Sequence, residues 1–182
     1  WSENSINNTL SQLDNFGLIS GLKINIDKTQ ALRIGSKRDS VDNLCPHVKL
    51  KWVNSLDVLG IKISHDPTHT INLNFPNKVD KLINNLNIWS RRDLSLYGKI
   101  IIIKAYGLSQ LTYTMTNLPS PNNDILKNIE SSCFKFIWNY KPDRIQRDIM
   151  VQNYEKGGMN MKNIKYLDYG LKLSWIKRLL SE

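Results

Sequence analysis

Two cysteines, Cys45 and Cys133, are all that the 182 residues contain, and they stand far apart. That excludes a disulfide framework and makes a reducing, intracellular compartment, nucleus or cytoplasm, the expectation. No apolar run approaches the roughly 20 residues of a membrane-spanning helix, and no signal peptide is read, so no membrane partner is expected. Acid is scarce: 16 Asp and Glu stand against 25 Lys and Arg, for a net charge of +9. Such a balance suits an anionic partner, most often nucleic acid, with a generic basic surface as the alternative. Only three histidines occur. Pro67 between His65 and His69 works against a helical ligand pair, and Cys45-x-His47 has no partner cysteine nearby, so no metal site is expected. With 41% apolar and 23% charged residues the chain reads as globular, with one good core or two small subdomains. It begins at Trp1 and is expected to be a piece of something longer.

The clearest organising signal lies between Trp89 and Gly107. The β-branched run Ile100–Ile103 suits a buried strand. Periodicity favours a helix over 95–117, because Leu94, Tyr97, Ile101, Ala105, Leu108, Leu111 and Met115 recur every three or four residues. Pro119 ends it. On that wheel Arg92, Lys99 and Lys104 leave the buried face and can reach a polyanion. A second helix over 78–89, carrying Val79, Leu82, Ile83, Leu86 and Trp89, is expected to pack antiparallel against it across the turn Arg91–Leu94.

Elsewhere a helix is expected over 3–20, with Ile6, Leu10, Leu13 and Phe16 on one face and Gly21 as its stop. Short strands follow on either side of a turn at Asn25–Thr29, then a polar loop over 36–47. Val48–Val53 and Leu56–Ser64 alternate as a hairpin joined at Asn54-Ser55. Beyond Pro121, a helix capped by Asp124 runs to about Tyr140 with Ile125, Ile129, Phe134, Ile137 and Trp138 inside, an aromatic stripe read as core rather than as a base-stacking platform. A short helix within Arg144–Tyr154, a turn at Gly157-Gly158 and an amphipathic helix bearing Leu167, Leu171, Trp175, Ile176 and Leu179 complete the chain.

Several of these stretches share one ordered pattern. Trp89, Leu94-Ser95, Gly98-Lys99, the Ile run closed by Lys104, Leu111-Thr-Tyr113 and Leu118-Pro119 resemble the thumb of non-LTR (LINE-type) retrotransposon reverse transcriptases. Gly21-Leu-Lys-Ile-Asn25-Ile-Asp-Lys28-Thr29 resembles the palm motif that follows the catalytic strand, and Val58-Leu59-Gly60-Ile61 the primer grip. Phe136-Ile-Trp138, Lys141, Arg144-Ile and Gly157-Gly-Met-x-Met follow the same pattern beyond the thumb. The resemblance covers nearly the whole chain.

The resemblance implies an α+β fold: the end of a palm with its primer-grip hairpin over 1–70, a helical thumb over 71–119 and post-thumb helices over 120–182. The palm part would be a small antiparallel sheet remnant. It implies an RNA template and DNA primer duplex as ligand, contacted at Leu59, Gly60, Ile61, Arg91, Arg92, Lys99 and Lys104, and the rest of the parent polymerase as partner. Lys28 would approach the phosphates of the incoming nucleotide in an accessory role; otherwise it is a solvated turn lysine. Gly60 would let a sugar–phosphate backbone come close; otherwise it is a β-bulge glycine. Polymerase chemistry needs carboxylates that hold two metal ions, and no Asp-Asp pair occurs in the chain. Mg²⁺ is therefore implied for the absent part of the parent palm, and this chain alone is expected to be inactive. The alternative is a non-enzymatic basic helical module, derived from a retroelement, that binds nucleic acid or protein.

Overall fold

The computed structural model describes residues 3–35 and 50–181. Cys45, His47 and the expected loop 36–47 lie outside the described residues, as does the start of the strand expected from Val48. The fold is α+β, mainly helical, in two compact units, Trp1–Thr70 and Ile71–Glu182.

In the first unit, α1 (Glu3–Ser20) ends where Gly21 takes a φ of 73° and its N–H donates to the Gly17 carbonyl at 2.9 Å. A left-handed residue is the usual helix stop, and glycine adopts it without strain. The apolar residues of α1 stay largely uncovered: Leu13 is 44% and Phe16 58% exposed. The expected turn is a 3₁₀ turn over Ile26–Lys28, capped by the Asn25 side chain. Among the described residues no strand precedes it. β1 (Gln30–Ala31) instead pairs in parallel with β2 (Lys51–Trp52).

The hairpin forms with a different register from the one expected. β3 (Ser55–Val58) and β4 (Ile61–Ser64) pair antiparallel, Val58 opposite Ile61, and turn at Leu59-Gly60 rather than at Asn54-Ser55. Leu59 and Gly60 have φ of 52° and 77°. Two left-handed residues in a two-residue loop match the twist of paired strands. Gly60 is thus a turn glycine, not a bulge.

Asp66 then caps α2 (Pro67–Trp89). Its carboxylate accepts from the Thr68 side chain and from the backbone N–H groups of Thr68 and His69, and the Thr68 hydroxyl holds it below the usual carboxylate range. Pro67 occupies the first helical position, where its missing N–H is no loss. The helix therefore begins eleven residues before the expected Lys78 and includes Pro76. Pro76 removes one backbone bond, yet Phe75 and Val79 beside it are buried, and that burial holds the helix through the proline.

In the second unit the residues 96–117 are helical throughout, but not uniformly α. α3 (Leu96–Ile102) starts on Ser95, whose hydroxyl accepts from the Gly98 N–H at 3.1 Å. A π-helical segment follows over Ile103–Leu108, then α4 (Ser109–Asn117). The π segment holds one residue more per turn than an α-helix and so rotates everything before it by about 100°. C-terminal to it the expected face is right: Leu108, Leu111 and Met115 are buried. N-terminal to it the face has turned. Lys99, Ile100, Ile102 and Ile103 are inside, whereas Tyr97 is 51% and Ile101 44% exposed.

α5 (Asn123–Ile137) is capped by the Asn122 side chain, not by Asp124, and buries Leu126, Ile129, Cys133, Phe134, Phe136 and Ile137. α6 (Arg147–Val151) and a 3₁₀ turn at Tyr154–Lys156 lead to Gly157 at φ 75°. α7 (Ile164–Leu180) packs on α4 and α5, and α3 packs on α5. Of α7's expected apolar face, Trp175, Ile176 and Leu179 are exposed.

Cys133 is fully enclosed, and burial, with a smaller contribution from Glu130, pushes its thiol up to about 12. In a Cys45→Ser background, a disulfide reagent at neutral pH is expected to leave Cys133 unmodified in the native protein. Modification should follow the unfolding transition in a urea series, because neither thiolate nor access exists before it.

Candidate nucleic-acid interface

Lys28 and the hairpin tip belong to the first unit. Lys28 is exposed at the end of the 3₁₀ turn, where its N–H donates to the Asn25 side chain at 3.1 Å. Leu59 is 86% exposed at the tip, whereas Ile61 is buried. Space for a Cβ is open at Gly60, so its φ rather than crowding by the chain selects glycine.

The remaining basic candidates lie in the second unit. Arg91 and Arg92 are exposed in the link between α2 and α3. The Arg92 guanidinium lies 4.4 Å from the centroid of the Trp89 ring, and that ring lies 5.3 Å from Tyr106. Cation–π stacking uses the face of a guanidinium and leaves its edge donors free for a phosphate. α2 and the π segment meet here: a Cβ on Gly107 would lie 3.6 Å from Leu86 and 3.9 Å from Leu82.

Lys99 does not leave the buried face. Its ammonium donates to the Ile137 carbonyl at 3.0 Å and to Asn139 Oδ1 at 2.5 Å, and lies 5.7 Å from the Phe136 ring centroid. The π segment is the cause, since the rotation it introduces aims Lys99 at the C-terminus of α5. A cation suits the negative end of a helix dipole. Burial lowers the lysine's pKa, with Asp93 opposing the drop. Lys172 of α7 has the same role for α4: its ammonium donates to the Met115 and Leu118 carbonyls, while Trp175 Nε1 donates to the Thr116 carbonyl at 2.9 Å. Nothing in the local sequence marks these two lysines as caps, because the carbonyls they meet lie 38 and 57 residues away.

Lys104 is half-buried in the π segment. Its pKa is lowered, first by burial and then by repulsion from Lys162, just before α7. Neither lysine forms an ion pair with a carboxylate among the described residues. Two ammoniums within each other's field and without a carboxylate partner favour an anion. Lys162 was not a sequence candidate, and only its tertiary position beside Lys104 distinguishes it. It also lines a cleft of about 380 Å³ with Met161, Leu167 and Leu171.

Among the described residues no group of three or more His, Cys, Asp or Glu side chains could hold a metal ion. No described helix is long and apolar enough to cross a membrane. No protein-family model matches the chain.

Replacing Lys99 with Met keeps the length of the side chain and removes the cap on α5. Orphaning buried acceptors typically costs about 1–3 kcal/mol, so the denaturant midpoint should fall accordingly. Binding to a polyanion, measured where the variant is still folded, should keep the wild-type salt dependence.

Proposed function

We propose that this chain is the C-terminal part of a LINE-type reverse transcriptase and that it grips the template–primer duplex while carboxylates outside it catalyse DNA synthesis. The order of motifs from Gly21 to Gly158 supports the family. What supports the duplex-binding role is a basic edge in the second unit, formed by the exposed Arg91 and Arg92, the latter braced on Trp89, and by Lys104 and Lys162, neither of which pairs with a carboxylate among the described residues. Contacts from such an edge go to phosphate and sugar, as translocation over any sequence requires. Arg91, Arg92, Lys104 and Lys162 provide them; Lys99 is withdrawn from the set. Lys28 and the Leu59-Gly60 tip take the nucleotide and primer roles only in the longer polymerase.

Binding of an RNA–DNA hybrid should weaken linearly in log–log form as salt rises, because bound lysine and arginine displace condensed counterions. Changing Arg92 and Lys104 together to Gln should flatten that slope by roughly 1 for each phosphate no longer neutralised, with similar effect on unrelated sequences. A folded variant with an unaltered slope would refute the duplex-gripping role.

The purified 182-residue chain is expected to extend no primer with Mg²⁺ or Mn²⁺. In the longer polymerase, Lys28→Leu should slow single-nucleotide incorporation and leave hybrid affinity nearly unchanged. Unchanged incorporation would return Lys28 to a solvated turn residue.

A further inference from the structure

The π segment has a second consequence, on the opposite side of the helix. The extra residue that turns Lys99 and Ile103 inward brings Tyr97 and Ile101 into line with Tyr106 and Tyr113 on the solvent side, because 101 to 106 is one π turn. Tyr97, Ile101, Tyr106 and Tyr113 are 51%, 44%, 51% and 47% exposed. The solvent face of a helix ordinarily carries charge. This one carries three aromatic rings, and no acidic residue occurs anywhere between Asp93 and Asp124.

Two of the rings are held in place by other aromatics. Tyr106 lies 5.3 Å from Trp89 at 40° between planes, and Tyr97 lies 6.1 Å from Tyr154 at 50°. Bracing of this kind fixes the rings before a ligand arrives, which lowers the entropic cost of binding. Arg92 lies against Trp89, the ring that touches Tyr106, and Lys104 falls between Ile101 and Tyr106 on the same helix, within the field of Lys162 and with no carboxylate partner among the described residues. Exposed aromatic rings on a helix that carries no acid, with cations nearby, match a strand that has both free bases and phosphates.

We propose that Tyr97, Ile101, Tyr106 and Tyr113 form a stacking track for an unpaired nucleic-acid strand, with Arg92, Lys104 and Lys162 on its phosphates. This rests on the nucleic-acid reading above and extends it from the duplex to an unpaired strand continuous with it, since paired bases inside a duplex offer no faces to a side chain. At 1.5 Å per residue the track from Tyr97 to Tyr113 is roughly 24 Å long, room for about seven nucleotides at ~3.4 Å each.

The test uses the whole chain, with anisotropy of a labelled eight-nucleotide single-stranded RNA and of the matching RNA–DNA hybrid. Stacking on one aromatic ring is commonly worth about 1–3 kcal/mol, or ~5- to 150-fold in affinity. Tyr97→Leu with Tyr106→Leu should therefore weaken single-strand binding at least tenfold while changing hybrid binding less than about twofold. Tyr106→Phe, which keeps the ring, should bind the single strand like the wild type. Circular dichroism checks that each variant is folded. Unchanged single-strand affinity in the folded double variant overturns the track, and so does an equal loss on both ligands, which would make the stripe part of the duplex surface and leave the duplex-gripping role standing. If the wild-type chain binds neither ligand, the nucleic-acid reading falls and the track falls with it.

Discussion

Helix C-termini expose carbonyls that nothing within the helix can satisfy, and the second unit satisfies two such ends with lysines brought from other helices. Lys99 of α3 caps α5, and Lys172 of α7 caps α4, assisted by the Trp175 indole. Each contact needs a lysine stem long enough to cross a helix interface and a charge that a dipole can hold in part-buried surroundings. Tyr140 adds a third link from the end of α5, its hydroxyl donating to Asn87 of α2 at 2.5 Å. The helices of this unit are tied end to side by polar groups as well as face to face by apolar ones. Loss of a cap would expose polar backbone in the interior, which is why the positions of α3, α5 and α7 depend on one another.

The π segment makes the Lys99 cap possible. A continuous α-helix from Leu96 would carry Lys99 away from the stripe of Leu108, Leu111 and Met115. One extra residue in the turn brings it underneath and places Ile100, Ile102 and Ile103 in the core. An inserted residue distorts the helical hydrogen-bond ladder; the burial of three isoleucines and a satisfied ammonium offsets that distortion. The same rotation moves Tyr97 and Ile101 outward. A single backbone irregularity therefore decides both which lysine is structural and which face meets solvent.

Charges close together in sequence have divergent roles for this reason. Of the four basic residues between Trp89 and Gly107, Arg91 and Arg92 stay in the exposed link, Lys104 is half-buried within the field of Lys162, and Lys99 goes inside. Composition gave each of them the same claim on a phosphate. Burial and partners separate them, since an ammonium that already donates to two acceptors at the end of α5 is committed there rather than to a phosphate.

Much of the architecture was legible in the sequence, and the reasons are local. Gly21 stops α1 because a left-handed residue is cheap only for glycine. Asn25 caps its turn and Pro119 follows α4, as those residue types do anywhere. The helical period over Leu108, Leu111 and Met115 reports a buried face because α geometry holds there. The failures are equally physical. Pro67 read as working against a helix between His65 and His69, and a helix was expected only from Lys78, although a first-turn proline and a buried Phe75 carry α2 back to Pro67. Leu59-Gly60 read as strand, although strand twist selects it as the turn. The sequence by itself determined the α+β class, the basic balance, the lack of an Asp-Asp pair and most helix ends, because composition and capping act within a few residues. Tertiary structure alone decided the π segment, the inward Lys99, the Lys172 cap and the approach of Lys162 to Lys104, because each depends on groups tens of residues away that only packing brings within reach.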